Sequence, residues 1–260
     1  MEKIKDYRVQ IEAFEKSSKN IAIAYGGDGE VLNVVRRTEG KKAIIPFRNY
    51  GLCDKHLDRL DDFFAENPKS TKGLKLTRCP FIEWHELTTD GKEASVSYGP
   101  LLNGRGIAEV VFKGVDITKA LRFNVYVDHK LYLKNVICDA GIVSTRYGST
   151  GYFKSASRCI FNCDGIGVAF VAPTQGISNL VLKNTSTIEF EFLREAEIVV
   201  SADTSTRKTT VDKGSRIEVR EIPDAVSIFG LEEFHCFECR QKRHSIIEAG
   251  VPIQDQYIIL

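Results

Sequence analysis

An α/β layer followed by a largely antiparallel β domain is the fold class that this sequence predicts, and three observations predict it. Short apolar runs alternate with helical spacings up to about residue 70, the signature of parallel strands joined by crossover helices. From about Lys69 onward, short alternating or β-branched runs dominate, separated by turn residues. The chain has 260 residues, 43% hydrophobic and 27% charged, which is the composition of a globular protein with room for one large domain or two smaller ones.

In order, Ile4, Tyr7, Ile11 and Phe14 share one face of a helix over residues 3–19. Ile21–Tyr25 is brief, partly β-branched and closed by glycines, so it reads as a buried strand. Val31, Leu32, Val34 and Val35 then mark a helix buried on one side, and Lys42–Phe47 a second strand leading into the loop Arg48–Leu52. Leu57, Leu60, Phe63 and Phe64 mark another helix, ending near Asn67-Pro68. Beyond Gly73 the expected strands are Ala94–Tyr98, Ile107–Phe112, Leu121–Val127, Ile142–Thr145, Gly167–Val171, Thr187–Phe192, Ile198–Ser201, Lys208–Val211 and Arg216–Val219. A helix interrupts them near Thr150–Arg158, and the tail from about Phe234 has no readable period.

A net charge of +1 creates no strong field toward nucleic acid or a membrane surface, and no apolar run approaches a membrane span of about 20 residues. The N-terminus mixes charges and lacks the apolar core of a signal peptide, so a cytoplasmic protein is expected. The 7 cysteines lack framework spacing, which favours free thiols. Cys236 and Cys239, flanked by His235 and His244, have the ligand types of a zinc site, but a second Cys-x-x-Cys is missing, so no metal site is assigned.

Two stretches carry chemistry. Gly26-Gly-Asp-Gly29 sits where a strand turns into a helix, and there glycines let a ligand approach the backbone while helix N–H groups attract phosphate. Asp28 among phosphates needs a reason: a bridging metal ion, or a hydroxyl proton to accept. Asp-Gly after an apolar run is also an ordinary turn. The second stretch, Asp139–Tyr152, runs a strand into a turn crowded with the hydroxyls of Ser144, Thr145, Tyr147, Ser149, Thr150 and Tyr152, with Ser155 close behind. Such groups suit a base and a ribose, though a Ser/Thr-rich loop without a ligand has the same composition.

Together, Gly26-Gly-Asp-Gly29 and Asp139-x-Gly-x-x-Ser-Thr-x-x-Gly-Ser-Thr-x-Tyr152 resemble the NAD kinase family, in the order and character of segments over nearly the whole chain. That family has a Gly-Gly-Asp-Gly motif, a short Asn-Glu motif matched here by Ala108-Glu109, and a Gly-Asp-Gly…Thr-Pro-Thr-Gly-Ser-Thr-Ala-Tyr-x-x-Ser stretch. Asn49–Leu52, Ala172-Pro-Thr and Ser201-Ala-Asp203 fall at further landmarks. The resemblance implies a Rossmann-like N-terminal α/β domain over residues 1–72, completed by 234–260 as the tail returns, and a C-terminal β-sandwich over residues 73–233 carrying the NAD pocket. It implies transfer of phosphate from ATP, accompanied by Mg²⁺, to the 2′-hydroxyl of the adenosine ribose of NAD, by a homodimer or homotetramer.

Carried onto this sequence, Asp28 is the catalytic carboxylate, and Gly27 and Gly29 cradle the donor phosphates. Asn49, Glu109, Thr150, Tyr152 and Ser155 belong to NAD binding, Glu109 at the ribose hydroxyls, and Asp139 meets the nicotinamide end. The chain departs from the family at Glu30, where a threonine is usual, at Ala108 for asparagine, at Cys138 and Ala140 for glycines, at Arg146 for proline, and at Ser157-Arg158 for a glycine pair. Arg158 is placed where it could reach a phosphate. Those changes leave two alternatives to an NAD kinase: a non-catalytic nucleotide-binding relative, or a kinase with another acceptor such as a lipid.

Overall fold

The computed structural model describes residues 7–48, 59–65, 74–89 and 104–234. The expected strand Ala94–Tyr98, the candidate Asn49 and the Cys236/Cys239 pair lie outside these residues. The described residues form two compact units, one made by residues up to Cys79 together with those from Ala225, the other by Pro80–Asp224.

The first unit is the expected α/β layer. It runs α1 (Arg8–Ser17), β1 (Ile21–Tyr25), α2 (Asp28–Arg37), β2 (Ala43–Phe47) and α3 (Arg59–Ala65). β1 and β2 are parallel, in register from Ile21↔Ala43 to Tyr25↔Phe47, with α2 as the crossover between them. Tyr7, Phe14, Ile23, Ile45, Phe47 and Leu60 make its core, packed by edge-to-face rings such as Phe14 and Phe63 at 5.5 Å. Glu15 ties the layer together, because its carboxylate accepts the N–H of Ile23 at 3.0 Å and both terminal nitrogens of Arg37, at 2.7 and 2.6 Å.

β3 (Leu76–Leu87) leads from the first unit into the second. There follow β4 (Arg105–Gly106), β5 (Glu109–Gly114), β6 (Leu121–Val127), β7 (Lys130–Cys138), β8 (Ala140–Thr145), a 3₁₀ turn (Gly148–Thr150) and α4 (Tyr152–Ser157). Then come β9 (Gly165–Val171), β10 (Leu180–Lys183), β11 (Ile188–Phe192), β12 (Ala196–Ala202) and β13 (Ser205–Val211). β14 (Arg216–Phe229) begins antiparallel to β11, with Ile188 opposite Val219, and its far end enters the first unit parallel to β2, with Ile228 opposite Ile44. The short helix α5 (Leu231–Phe234) closes the described chain. The last strand thus ends in the first layer, while the return over 234–260 that the resemblance implied lies, past Phe234, outside the described residues.

Within the second unit one antiparallel face runs β14-β11-β6-β7 and the other β10-β9-β8-β5-β12-β13. A sandwich core of Phe112, Phe123, Phe190 and Phe192 with Val, Ile and Leu neighbours fills it, and the Phe112 and Phe190 ring centroids are 4.6 Å apart. β8 is buried at every residue because its outer face is also covered, by Phe153 of α4 and by Phe161 against Ile142 and Ala169. Four strands were not expected from the sequence, the two-residue β4 among them. β7 is largely exposed and lysine-rich, β10 has only four residues, and β3 carries Pro80 and charged residues through a buried centre.

Candidate functional site

β1 ends at Tyr25 and α2 starts at Asp28, so Gly26 and Gly27 make the turn. Packing explains Gly26: it donates its N–H to the Phe47 carbonyl at 2.8 Å, and a Cβ there would press on Glu30 Cβ at 2.9 Å. Gly27 and Gly29 are different. Neither has a positive φ, a Cβ at Gly27 would meet only Arg48 Nη1 at 3.8 Å, and one at Gly29 would meet nothing within 4 Å. Among the described residues nothing requires a glycine at either position, and a helical glycine costs about 0.5–1 kcal/mol relative to alanine. The bare backbone lies at a helix N-terminus, where the first N–H groups have no intrahelical acceptor. That is the arrangement a phosphate needs.

Asp28 is the first residue of α2, with its side chain 52% exposed. Arg48, directly after β2, places Nη2 3.4 Å from Asp28 Oδ1. Arg48 itself is 11% exposed, donates from Nε to the Phe234 carbonyl at 3.2 Å, and lays its guanidinium over the Phe234 ring at 3.9 Å. By its sequence Arg48 opens a loop. Its place just past the carboxyl end of a parallel strand, where such sheets gather ligands, was the available signal. Glu30 reaches along its own helix to Asn33 Nδ2 at 3.5 Å. Among the described residues no three His, Cys, Asp or Glu side chains lie together as a metal cage.

In the second unit the hydroxyl-rich stretch divides in two. Ser144, Thr145 and Ser149 are buried and bond to main chain: Thr145 Oγ1 to the Ile107 carbonyl at 2.6 Å, Ser144 Oγ to the Thr145 carbonyl at 3.0 Å, and Ser149 Oγ to the Arg146 and Phe161 carbonyls at 2.8 and 3.0 Å. They fix the loop. Gly148 is required there, because a Cβ would lie 2.1 Å from the Ala108 carbonyl oxygen. Thr150, Tyr152 and Ser155 are the exposed hydroxyls, the last two three residues apart on α4 and so on one helix face.

Glu109 belongs to the same cluster. Its Oε2 accepts the Phe153 N–H at 3.2 Å, capping the start of α4. Burial pushes its carboxyl up to about 7; the N–H groups of Phe153 and Tyr152 pull against this, and the nearby Asp203 charge adds to it. Asp203, at the tip of the β12–β13 hairpin with φ 49°, accepts the N–H groups of Ile107, Ala108 and Glu109. Burial raises its carboxyl as well, against those three donors. The sequence marked Asp203 only as a landmark. Its clamp on residues 107–109 is the role the structure adds.

The remaining candidates are dispersed. Asp139 is exposed just before β8, whereas Thr150 lies in the turn that follows the other end of that strand. Arg146 bonds Asn162 Oδ1 at 2.8 Å. Arg158 is exposed and left-handed at φ 60°, a conformation that glycine adopts without strain.

The family profile described as the ATP-NAD kinase C-terminal domain matches residues 107–230. An NAD kinase from Clostridium botulinum (strain Alaska E43 / Type E3) is 26% identical over 238 residues, covering 88% of this chain and 79% of the relative. An NAD kinase 2 from Geobacillus kaustophilus is 33% identical over 148 residues, covering 54% of this chain and 49% of the relative. Among solved structures, yeast NADH kinase complexed with NADH superposes with a TM-score of 0.70 at 16% identity, over 91% of this chain and 68% of that one. An NAD kinase from Archaeoglobus fulgidus in complex with ATP gives 0.64 at 19% identity, over 94% and 95%. At these identities the structures speak for a shared fold. The sequence match over the β-sandwich and the relatives that span most of the chain are likewise to NAD kinases, so it is this family that the chain resembles in sequence.

Proposed function

We propose that this chain is a kinase that moves the γ-phosphate of ATP to the 2′-hydroxyl of the adenosine ribose of NAD, giving ADP and NADP. The observation that carries this reading is the turn at Gly27-Asp-Gly29: a carboxylate stands at the start of α2 between two glycines whose bareness the described fold does not use. In the transfer the ribose oxygen bonds to the γ-phosphorus and the bond from that phosphorus to the β–γ bridging oxygen breaks. The hydroxyl proton passes to Asp28. An ordinary carboxylate suffices as base when the transition state is loose and the work is positioning and charge neutralisation.

The backbone N–H groups around Gly27 and Gly29 hold the donor phosphates. Mg²⁺ carried with the nucleotide would supply charge neutralisation there, and Asp28 is the carboxylate of the turn that would stand beside it. Thr150, Tyr152 and Ser155 offer hydroxyls to the adenosine end of NAD, with Glu109 at the ribose and Asn49 assigned to NAD by the resemblance. Asp139 is kept for the far, nicotinamide end of the dinucleotide. On the same reading the first unit is the nucleotide-binding domain and the second the NAD domain, and the enzyme is a cytoplasmic homodimer or homotetramer. No helix among the described residues is long and apolar enough to cross a membrane.

Incubation of the purified protein with ATP, Mg²⁺ and NAD tests the proposal. NADP must form, and Asp28→Asn must abolish its formation. NAD binding by calorimetry without turnover moves the protein to a non-catalytic relative, and transfer to a lipid but not to NAD makes it a kinase of another acceptor.

A further inference from the structure

Resting on the reading just given, we propose that Arg48 is a donor-phosphate ligand of the glycine turn, held ready by Phe234. Three observations within the first unit support it. The guanidinium is fixed before any ligand arrives: its face stacks on the Phe234 ring at 3.9 Å, its Nε bonds the Phe234 carbonyl at 3.2 Å, and its side chain is 11% exposed. These anchors occupy one face and one edge of the planar group and direct its two terminal nitrogens at the turn. Nη1 is the atom nearest to where a Gly27 side chain would be, at 3.8 Å, and Nη2 lies 3.4 Å from Asp28 Oδ1.

The contact with Asp28 is a single one at the long limit for a hydrogen bond, to a carboxylate that is 52% exposed. It therefore leaves the guanidinium fork able to take a phosphate with two parallel bonds, the geometry for which arginine is suited and lysine is not. The electrostatics require such a group. Asp28 and Glu30 bring two carboxylates into the first turn of α2, the place where a polyphosphate is to bind. Arg48 sets a buried positive charge against them. The pre-stacking matters as well, since a side chain already immobilised loses little freedom when the ligand arrives.

The test is a comparison of Michaelis constants for wild type, Arg48→Gln, Arg48→Lys and Phe234→Leu, with melting curves to show that each is folded. Losing a charged two-bond contact raises the KM for MgATP about 10–100-fold in Arg48→Gln. The KM for NAD stays within about threefold, since the change removes donor binding alone. Arg48→Lys falls between, because it keeps the charge and loses the fork, and Phe234→Leu raises the ATP constant while leaving Arg48 in place. An unchanged ATP constant in folded Arg48→Gln, or equal rises for both substrates, overturns the assignment while NAD phosphorylation by the wild type still stands. A wild type that makes no NADP removes the enzyme reading instead. Calorimetry with MgATP and with inorganic tripolyphosphate then decides the role of Arg48 by itself: binding lost in Arg48→Gln upholds it, and equal binding overturns it.

Discussion

Asp203 accepts the backbone N–H of Ile107 at 2.6 Å, and the same carboxylate takes the N–H groups of Ala108 at 2.9 Å and Glu109 at 3.0 Å. A hairpin tip thereby holds three successive residues leading into β5, and returns its own N–H to the Glu109 carbonyl at 3.0 Å. The segment that carries Glu109 is shaped by a residue almost a hundred positions away in sequence.

Asp203→Asn keeps the size of this side chain but replaces one acceptor by a donor. Whichever way the amide turns, an N–H faces an N–H in a buried place. The variant is expected to lose about 2–3 kcal/mol of stability, and Asp203→Ala about 3–5 kcal/mol, as three main-chain donors lose their acceptor. Urea denaturation measures both. A loss under about 1 kcal/mol in either shows that the clamp is not what orders residues 107–109.

The Glu109 carboxyl, pushed up to about 7 from its ordinary 4.5, gives the protein a pH dependence with a definite sign. Between those values the folded state binds a proton that the unfolded state does not. The stabilisation is therefore complete below about 4.5 and is lost as pH rises through about 7. A decline on the order of 2–3 kcal/mol across that window is expected from this group. Glu109→Gln, which can still accept the Phe153 N–H, flattens the slope. Melting temperatures measured in both proteins from pH 4.5 to 8 check it, and parallel curves would refute the assignment.

Gly29→Ala separates the needs of the fold from those of the ligand. The helix is expected to gain a few tenths to about 1 kcal/mol, because an added Cβ meets nothing within 4 Å and alanine is the better helix former. Activity should move the other way, with the KM for ATP raised about tenfold or more as the methyl group obstructs phosphate approach. Thermal denaturation and initial rates on one preparation give both numbers. A variant that is more stable and equally active means that no ligand approaches this backbone.

The first unit was legible because its signals are local: an apolar strand, a glycine turn and a helical period follow one another within Ile21–Arg37. β7 was not, because its side chains are mostly exposed along both faces and show no period of two. β3 was obscured by Pro80, which argues against a strand, and by Glu83 and Arg78, which do not advertise burial. In the candidate site the hydroxyl-rich stretch was found as a unit, yet Ser144, Thr145 and Ser149 turned out to be bonded to main chain while Thr150, Tyr152 and Ser155 face outward. Composition cannot make that division. It depends on α4 covering the outer face of β8, which is a matter of tertiary packing. Arg48 and Asp203 act through partners far along the chain, Phe234 and Ile107, so no window of sequence could have paired them.

Residue 108 is secured at both ends of its peptide unit: the N–H goes to Asp203, and the carbonyl accepts the Thr145 N–H at 2.9 Å and the Thr145 hydroxyl at 3.2 Å. None of these bonds involves its side chain. The main-chain bonds that hold this point are thus the same whichever side chain the position carries, although Ala108 itself is buried. The course of the backbone into β5 is therefore set by Asp203 and Thr145, from two separate elements, and not by what residue 108 presents.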